Sequence, residues 1–481
     1  MPPRYPPAHQ VGCPRAETPQ ERRRAIPTPD DHTVAETLAD AIAGVAPALL
    51  PDAVRGVAGD LVLDVIGLCL AARRTHYVAA AIAGSDGEGD ATLIGHRQTL
   101  SAAGAALVNG IAAHGEDFDD TFEGGPVHAG AVIVPAVLAA AARHNPQGAA
   151  VLRGIVAGAE TICRLSLVAP KRVHQAGFHP TSVFGALASA AAVAATLDLE
   201  PATIVNALGI AGSMASGIIE YLSDGSSTKR LHAGWAAQSG LRAALLARAG
   251  FTGPRRVLEG AHGVFNAFAR NRAGDFGKLL DGFGERWVME TLAFKPYACG
   301  TMIHPYIDCA RRLAASGIAA EDIVEIVCEV AEGTVHRLWE PLAAKQSPPN
   351  GYAAKFSAPF CVATAFVTGD IGLASFGDAT LADPRIRTLA GRTRFVVDPA
   401  NPYPAEYTGH ARVTLRDGRV IEERQPHLRG GVHEPLSRAE IEGKFRANAA
   451  HGGWPPARAD AARDLARTLF DAPLDLSVLR G

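Results

Sequence analysis

Between residues 52 and 250 the chain repeats a single pattern, apolar residues at i, i+3, i+4 and i+7 in stretches long enough for helices. Residues 52–73 carry Val54, Val57, Leu61, Val65, Ile66 and Cys69 at that spacing, and 101–117, 128–144, 148–166, 181–197, 201–219 and 233–250 continue it. Several of these segments are apolar nearly all round, as helices inside a large body are. Ala and Gly dominate them while aromatic residues make up 6% of the chain, so the helices can approach closely. Thr33-x-x-Glu36 has the form of a capping box and marks the start of order. Gly250-Phe-Thr-Gly-Pro254 is a C-terminal stop for the last helix.

The pattern changes after residue 292. Residues 323–330 (IVEIVCEV) and 394–398 (RFVVD) have strand composition, and 411–423 places two alternating runs around Asp417-Gly418, a hairpin turn signal. Helical periodicity returns at 437–450 and 457–469. The expected fold is mainly α with an inserted α+β domain. Its helical domain spans 33–292 and 432–472, a smaller lid domain spans 293–431, and 473–481 forms a tail. Residues 1–32, rich in Pro and Arg, are expected to be a disordered extension.

With a net charge of −3, the chain has no global field for nucleic acid, and no uncharged apolar stretch reaches the roughly 20 residues that span a bilayer. Seven scattered cysteines without a CxxC fit a reducing compartment, so a cytoplasmic location is expected. Walker, HExxH and GxSxG patterns are absent, and Gly87-Glu88-Gly89 lacks the third glycine of a dinucleotide loop. No cofactor and no bound metal are expected.

Chemistry-bearing residues gather in four segments. The first runs from His114 through Glu116, Asp117, Asp119, Asp120 and Thr121 to His128. Acids closing a helix sit against its negative end, and their repulsion is expected to raise carboxylate pKa, as a general acid or base needs. The second is Gly177-Phe-His179-Pro-Thr181, with Thr181 expected as the N-cap of the following helix. The third, 223–234, brings Lys229, Arg230 and His232 to a loop before a helix N-terminus, a setting for carboxylate or phosphate. The fourth, Lys295 to His304, lies where the chain leaves the helical body. An Asp-rich run on a helical body also suits magnesium and a diphosphate, a remoter reading that the low aromatic content disfavours.

In that order the four segments resemble the MmgE/PrpD family: Asp117-Phe-Asp-Asp-Thr121 with His128, Gly177-Phe-His-Pro-Thr181, Lys229-x-Leu-His-x-Gly234, and Lys295-Pro-Tyr-x-Cys299 with a later His. Glu259–Phe265, Lys355–Phe360 and Lys444–Arg446 extend the likeness, which covers about residues 35–450. The resemblance implies a helical domain, a lid, a homodimer, and chemistry at a carbanion-like centre beside a carboxylate. Family activities include dehydration of 2-methylcitrate, decarboxylation of cis-aconitate and epimerisation of iminodisuccinate. Three departures count against decarboxylation. The Thr121–His128 interval is one residue longer, a family His between the positions of Lys295 and His304 is missing, and Phe360 stands where some members carry Tyr. The expected activity is cofactor-independent dehydration of a small hydroxy-polycarboxylate. Asp117, His128, His179 and Lys229 are the expected catalytic residues, and Thr121, Arg230, His232, Lys295 and His304 are expected to bind substrate.

Overall fold

The computed structural model describes residues 32–85, 87–271 and 273–481, so the extension expected at 1–32 lies outside it apart from His32. Helix α1 (Val34–Ala43) opens with the capping box, Thr33 and Glu36 each accepting from the other's backbone N–H. Six longer helices follow: α2 (Asp52–Ala72), α3 (Ala102–His114), α4 (Gly130–His144), α5 (Gly148–Val168), α6 (Pro180–Thr196) and α7 (Pro201–Met214). Helix α8 (Thr228–Arg248) completes the series. Every residue of α6 is buried, and α4, α5, α7 and α8 pack around it. A helix apolar nearly all round has no solvent face to offer, so its place is the centre.

Helix α8 crosses α3 at two facing glycines. A Cβ on Gly110 would sit 2.6 Å from Gly234 Cα, and one on Gly234 would collide with the Leu107 carbonyl oxygen. This close crossing sets the first turn of α8 beside the end of α3, where the acidic segment begins.

The paired strands β1 (Ala91–Thr92) and β2 (Thr99–Leu100) flank α3. Strand β3 (Thr121–Phe122) pairs antiparallel with β4 (Leu292–Ala293), which ties the acidic segment to the chain just before Lys295. Beyond it a second hydrophobic cluster forms around α9 (His304–Ala315), α10 (Ala358–Thr368) and a four-stranded sheet. The sheet holds β5 (Ile323–Val330), β6 (Thr393–Val397), β7 (Gly409–Leu415) and β8 (Val420–Gln425) in the order β6-β5-β7-β8, with only β5–β6 parallel. The hairpin joining β7 to β8 turns through Gly418 at φ 86°, a conformation open to glycine. Helices α11 (Arg438–His451) and α12 (Pro456–Thr468) bury Ile441, Phe445 and Ala462 in the first cluster, with α11 lying along α2.

Three helix ends differ from the periodic pattern. Helix α3 stops at His114, so the acids lie in a loop and not in a last helical turn. Helix α7 stops at Met214, and the chain then runs to an antiparallel bridge between Ile218 and Phe178. Helix α8 begins at Thr228, which places Lys229, Arg230 and His232 within its first two turns. Apolar periodicity cannot mark that start, because polar contacts of Lys229 and Arg230 hold the first turn.

Gly234→Ala is expected to lower stability by about 1–3 kcal/mol through overpacking at the α3–α8 crossing. Gly443→Ala, at an exposed position of α11 with nothing near its Cβ, should raise it by up to about 1 kcal/mol. Thermal unfolding followed by circular dichroism checks both signs.

Candidate active site

After α3 the chain enters a buried loop whose carboxylates are each engaged. Asp117 adopts φ 56°, a left-handed conformation uncommon outside glycine and more accessible to Asp than to most residues. Its Oδ1 accepts from Lys229 Nζ at 2.9 Å and Lys295 Nζ at 3.0 Å, and Lys295 also donates to the Asp117 carbonyl at 2.9 Å. Burial alone would raise the Asp117 pKa, but the two ammonium groups overturn it and hold the carboxyl well below its usual range. Burial likewise opposes the charge of Lys229, and Asp117 outweighs it, leaving the amine above its ordinary value. At Asp117 the repulsion expected from an acid-rich helix end is therefore outweighed by pairing.

Asp119 is fully buried and reaches His114 Nδ1 at 2.7 Å. Asp120 caps α4, its two oxygens accepting from Ala129 N–H and Gly130 N–H at 2.8 Å each. Burial and the neighbouring Asp119 charge push Asp120 up to about 7 against those two amides. Glu116 accepts from Tyr77 Oη at 2.8 Å and Lys355 Nζ at 2.6 Å.

Four imidazoles stand together above this floor. His128 Nδ1 lies 2.6 Å from the Asp120 carbonyl oxygen. A carbonyl can only accept, so Nδ1 carries the hydrogen and the neutral ring presents Nε2 as a lone pair. Burial, helped by Lys295, His114 and Lys229, drives His128 down to about 3 despite the Asp119 charge. His179, the N-cap residue of α6, shares a hydrogen with His232 across 3.1 Å between their Nδ1 atoms. Burial and nearby basic groups push His179 well down, and His232 down to about 4. His114 and His179 stack at 5.7 Å between centroids.

These groups border a cavity of about 810 Å³ walled by residues between 76 and 230 and by residues between 336 and 356. His128, His179, Lys229 and Arg230 line one side, and Arg337 and Tyr352 line the other. Arg230 lies between the Tyr77 and Tyr352 rings, at 4.7 and 4.3 Å from their centroids, and donates to the Gly115 carbonyl at 2.9 Å. Lys345, His174 and His336 add to the basic lining, against which Asp224 is the one acid among the described residues. Such a wall selects anions.

Of the expected site residues, His128, His179, Lys229 and Arg230 line the cavity, while Asp117, Lys295 and His232 sit directly behind them. Thr121 contributes backbone pairing in β3 and does not line the cavity. His304 is not brought to the site. It is fully buried in the second cluster's region, with Nε2 3.2 Å from the Cys299 carbonyl oxygen. Thr181 is not the N-cap of α6 but lies inside it, and its Oγ1 accepts from His128 N–H at 3.2 Å. His114, Asp119, Arg337 and Tyr352 escaped the sequence reading. The first two stood within a recognised segment, whereas nothing near Arg337 or Tyr352 marks them.

His114, Asp119 and His128 bring potential metal-ligating atoms within 4.8 Å of one another. The groups do not suit a cation well, since Lys295 Nζ already stands 4.0 Å from Asp119 Oδ1 and His128 Nδ1 is committed to a carbonyl. Asp117 and Asp120 are engaged too, which leaves the acidic run poorly placed to hold magnesium and a diphosphate.

The family profile for the MmgE/PrpD N-terminal domain matches residues 36–276, and that for the MmgE/PrpD C-terminal domain matches residues 297–469. The chain is similar to the cis-aconitate decarboxylase of Mus musculus, 31% identical over 367 residues that cover 72% of this chain and 71% of that protein. The Homo sapiens cis-aconitate decarboxylase is 32% identical over 364 residues, 72% of each chain. A 2-methylcitrate dehydratase of Cupriavidus necator is 28% identical over 311 residues, 60% of this chain and 61% of that one. No helix among the described residues is long and apolar enough to cross a membrane.

Asp117→Asn strands two buried ammonium groups and is expected to cost about 3–5 kcal/mol at pH 7. Because the folded pKa of Asp117 is depressed, its contribution is present above the unfolded value near 4 and is lost as pH falls through the folded one. The stability gap between wild type and variant should therefore narrow below about pH 4, as denaturant titrations at several pH values would reveal.

Proposed function

The chain belongs to the MmgE/PrpD family, and on that premise we propose that it is a lyase that dehydrates a small hydroxy-polycarboxylate such as 2-methylcitrate, without a cofactor. The observation that carries the reading is the pairing of a neutral, lone-pair-bearing His128 Nε2 with a cation-lined cavity. Removing a proton α to a carboxylate adds charge to a group that is already anionic. Fixed cations aimed at that charge lower the barrier, and Lys229, Arg230 and Arg337 supply them.

In this mechanism the substrate carboxylates seat against Lys229, Arg230 and Arg337. His128 Nε2 takes the proton from the carbon α to a carboxylate, leaving the C–H electron pair as a carbanion spread into that carboxylate, and the pair then forms the new double bond as the adjacent C–O bond breaks. Burial, the neighbouring imidazoles and Lys229 keep His179 and His232 neutral, and bound carboxylates offset that positive surrounding and favour a proton on the pair. The departing hydroxide takes that proton and leaves as water. Asp117 is a poor base while both lysines grip it, and its part is to hold Lys229 and Lys295 in place. The same cavity supports epimerisation if the proton returns to the opposite face.

A second reading rests on the matched relatives. Two of them, more than 30% identical to this chain, bear the name cis-aconitate decarboxylase. Loss of carbon dioxide would leave the same charge beside the same cations, but it calls for a proton donor where His128 offers a lone pair.

Purified protein assayed with EDTA on 2-methylcitrate, citrate and cis-aconitate separates the two. Unsaturated product without carbon dioxide supports dehydration, and carbon dioxide supports the second reading. His128→Gln should lower kcat about 100- to 10,000-fold with the circular dichroism spectrum unchanged. Near-wild-type turnover would remove His128 from the role of base.

A further inference from the structure

Asp119 is a costly residue to bury, and the fold gives it no structural task that explains the expense. It is fully buried, and the cap of α4 belongs to Asp120. Its Oδ2 lies 2.7 Å from His114 Nδ1 and 3.6 Å from His128 Nδ1, while its Oδ1 has no hydrogen-bond partner among the described residues. His114 Nε2 is also buried without a partner, so His114 directs its bonding at Asp119. The remaining charges around the carboxylate are Lys295, 4.0 Å from Oδ1, and the Asp64–Lys444 pair beyond it, with Asp117 and Asp120 as chain neighbours.

We propose that Asp119, held by His114, is a positioning residue that supports the Nδ1–H tautomer of His128 set by the Asp120 carbonyl and stabilises the imidazolium formed when His128 takes the substrate proton. The proposal rests on His128 being the base. A neutral imidazole interacts weakly with a carboxylate 3.6 Å away, whereas an imidazolium there interacts strongly. The Asp119 charge thus adds little before proton transfer and most once the proton has moved, the differential that raises kcat rather than affinity. It also opposes the basic groups that would otherwise make His128 too weak to accept a proton, since Lys295, His114 and Lys229 all act to lower His128 while Asp119 alone among its main neighbours raises it. Geometry helps as well, because the His128 N–H lies between the Asp120 carbonyl and Asp119 and keeps the ring from flipping.

The test compares Asp119→Asn, His128→Gln and the double variant on the substrate found above. Asp119→Asn should lower kcat about 10- to 100-fold with KM nearly unchanged, and should add no further loss to His128→Gln. Asp119→Glu, which keeps the charge, should recover part of the activity. Wild-type kcat in Asp119→Asn, or full additivity in the double variant, overturns the proposal while leaving His128 as base. Wild-type turnover in His128→Gln overturns the mechanism on which it rests. Nitrogen-15 NMR of wild-type histidines serves if Asp119→Asn fails to fold. A neutral His128 protonated at Nδ1, whose protonation midpoint rises when the unreactive tricarboxylate tricarballylate binds, supports the proposal, and the Nε2–H tautomer overturns it.

Discussion

A single carboxylate oxygen holds the site together. Asp117 Oδ1 accepts from Lys229, at the start of α8, and from Lys295, just beyond β4. Three stretches of chain far apart in sequence meet at that atom. Two buried ammonium groups without a counter-ion would be prohibitive, and a lone buried carboxylate no better. Together, with Asp119 4.0 Å from Lys295, they balance one another, and the Lys229 end of the cluster lines the cavity. The α3–α8 glycine crossing serves this clamp, since it brings the first turn of α8 within reach of the loop after α3.

Burial and the basic groups of this cluster explain the state of the histidines. In water, imidazoles titrate near neutrality, and four of them would spend much of their time protonated. Burial, with His114 and Lys229 beside them, keeps His128, His179 and His232 neutral, and Lys295 adds to the effect at His128. On the proposed reading, the carboxylates of a polyanionic substrate offset those basic neighbours and favour a proton on the histidine pair. A cavity lined by cations selects the ligand, and the same ligand prepares the acid.

Much of this was legible in the sequence, for reasons particular to certain residues. The helices of the first cluster announce themselves because burial demands periodic apolar residues, and the β7–β8 hairpin does so because Asp417-Gly418 fits few other conformations. Asp117, His128, His179 and Lys229 stood out as polar residues at the ends of bland helices, and the structure gathers them. Polar contacts were harder to foresee. The start of α8 is set by Lys229 reaching Asp117 and Arg230 reaching the Gly115 carbonyl, and neither contact leaves a periodic trace. The acids after α3 looked mutually repulsive because their partners, Lys229, Lys295, Lys355 and His114, are distant in sequence or lie across the loop. His304 resembled a site residue by its place after Lys295, yet its ring turns into the second cluster. Arg337 and Tyr352 reach the cavity only through the packing of that cluster against the helices.

The central claim is that a neutral imidazole removes a proton α to a carboxylate inside a cation-lined cavity. Deuterium exchange into recovered substrate tests it most directly. The enzyme is incubated in D₂O with 2-methylcitrate and related hydroxy-polycarboxylates, stopped before completion, and the remaining substrate is examined by NMR. The account predicts deuterium at the carbon α to a carboxylate, appearing at least as fast as product. Product formation from a substrate that keeps all its hydrogen, with carbon dioxide released, would contradict it.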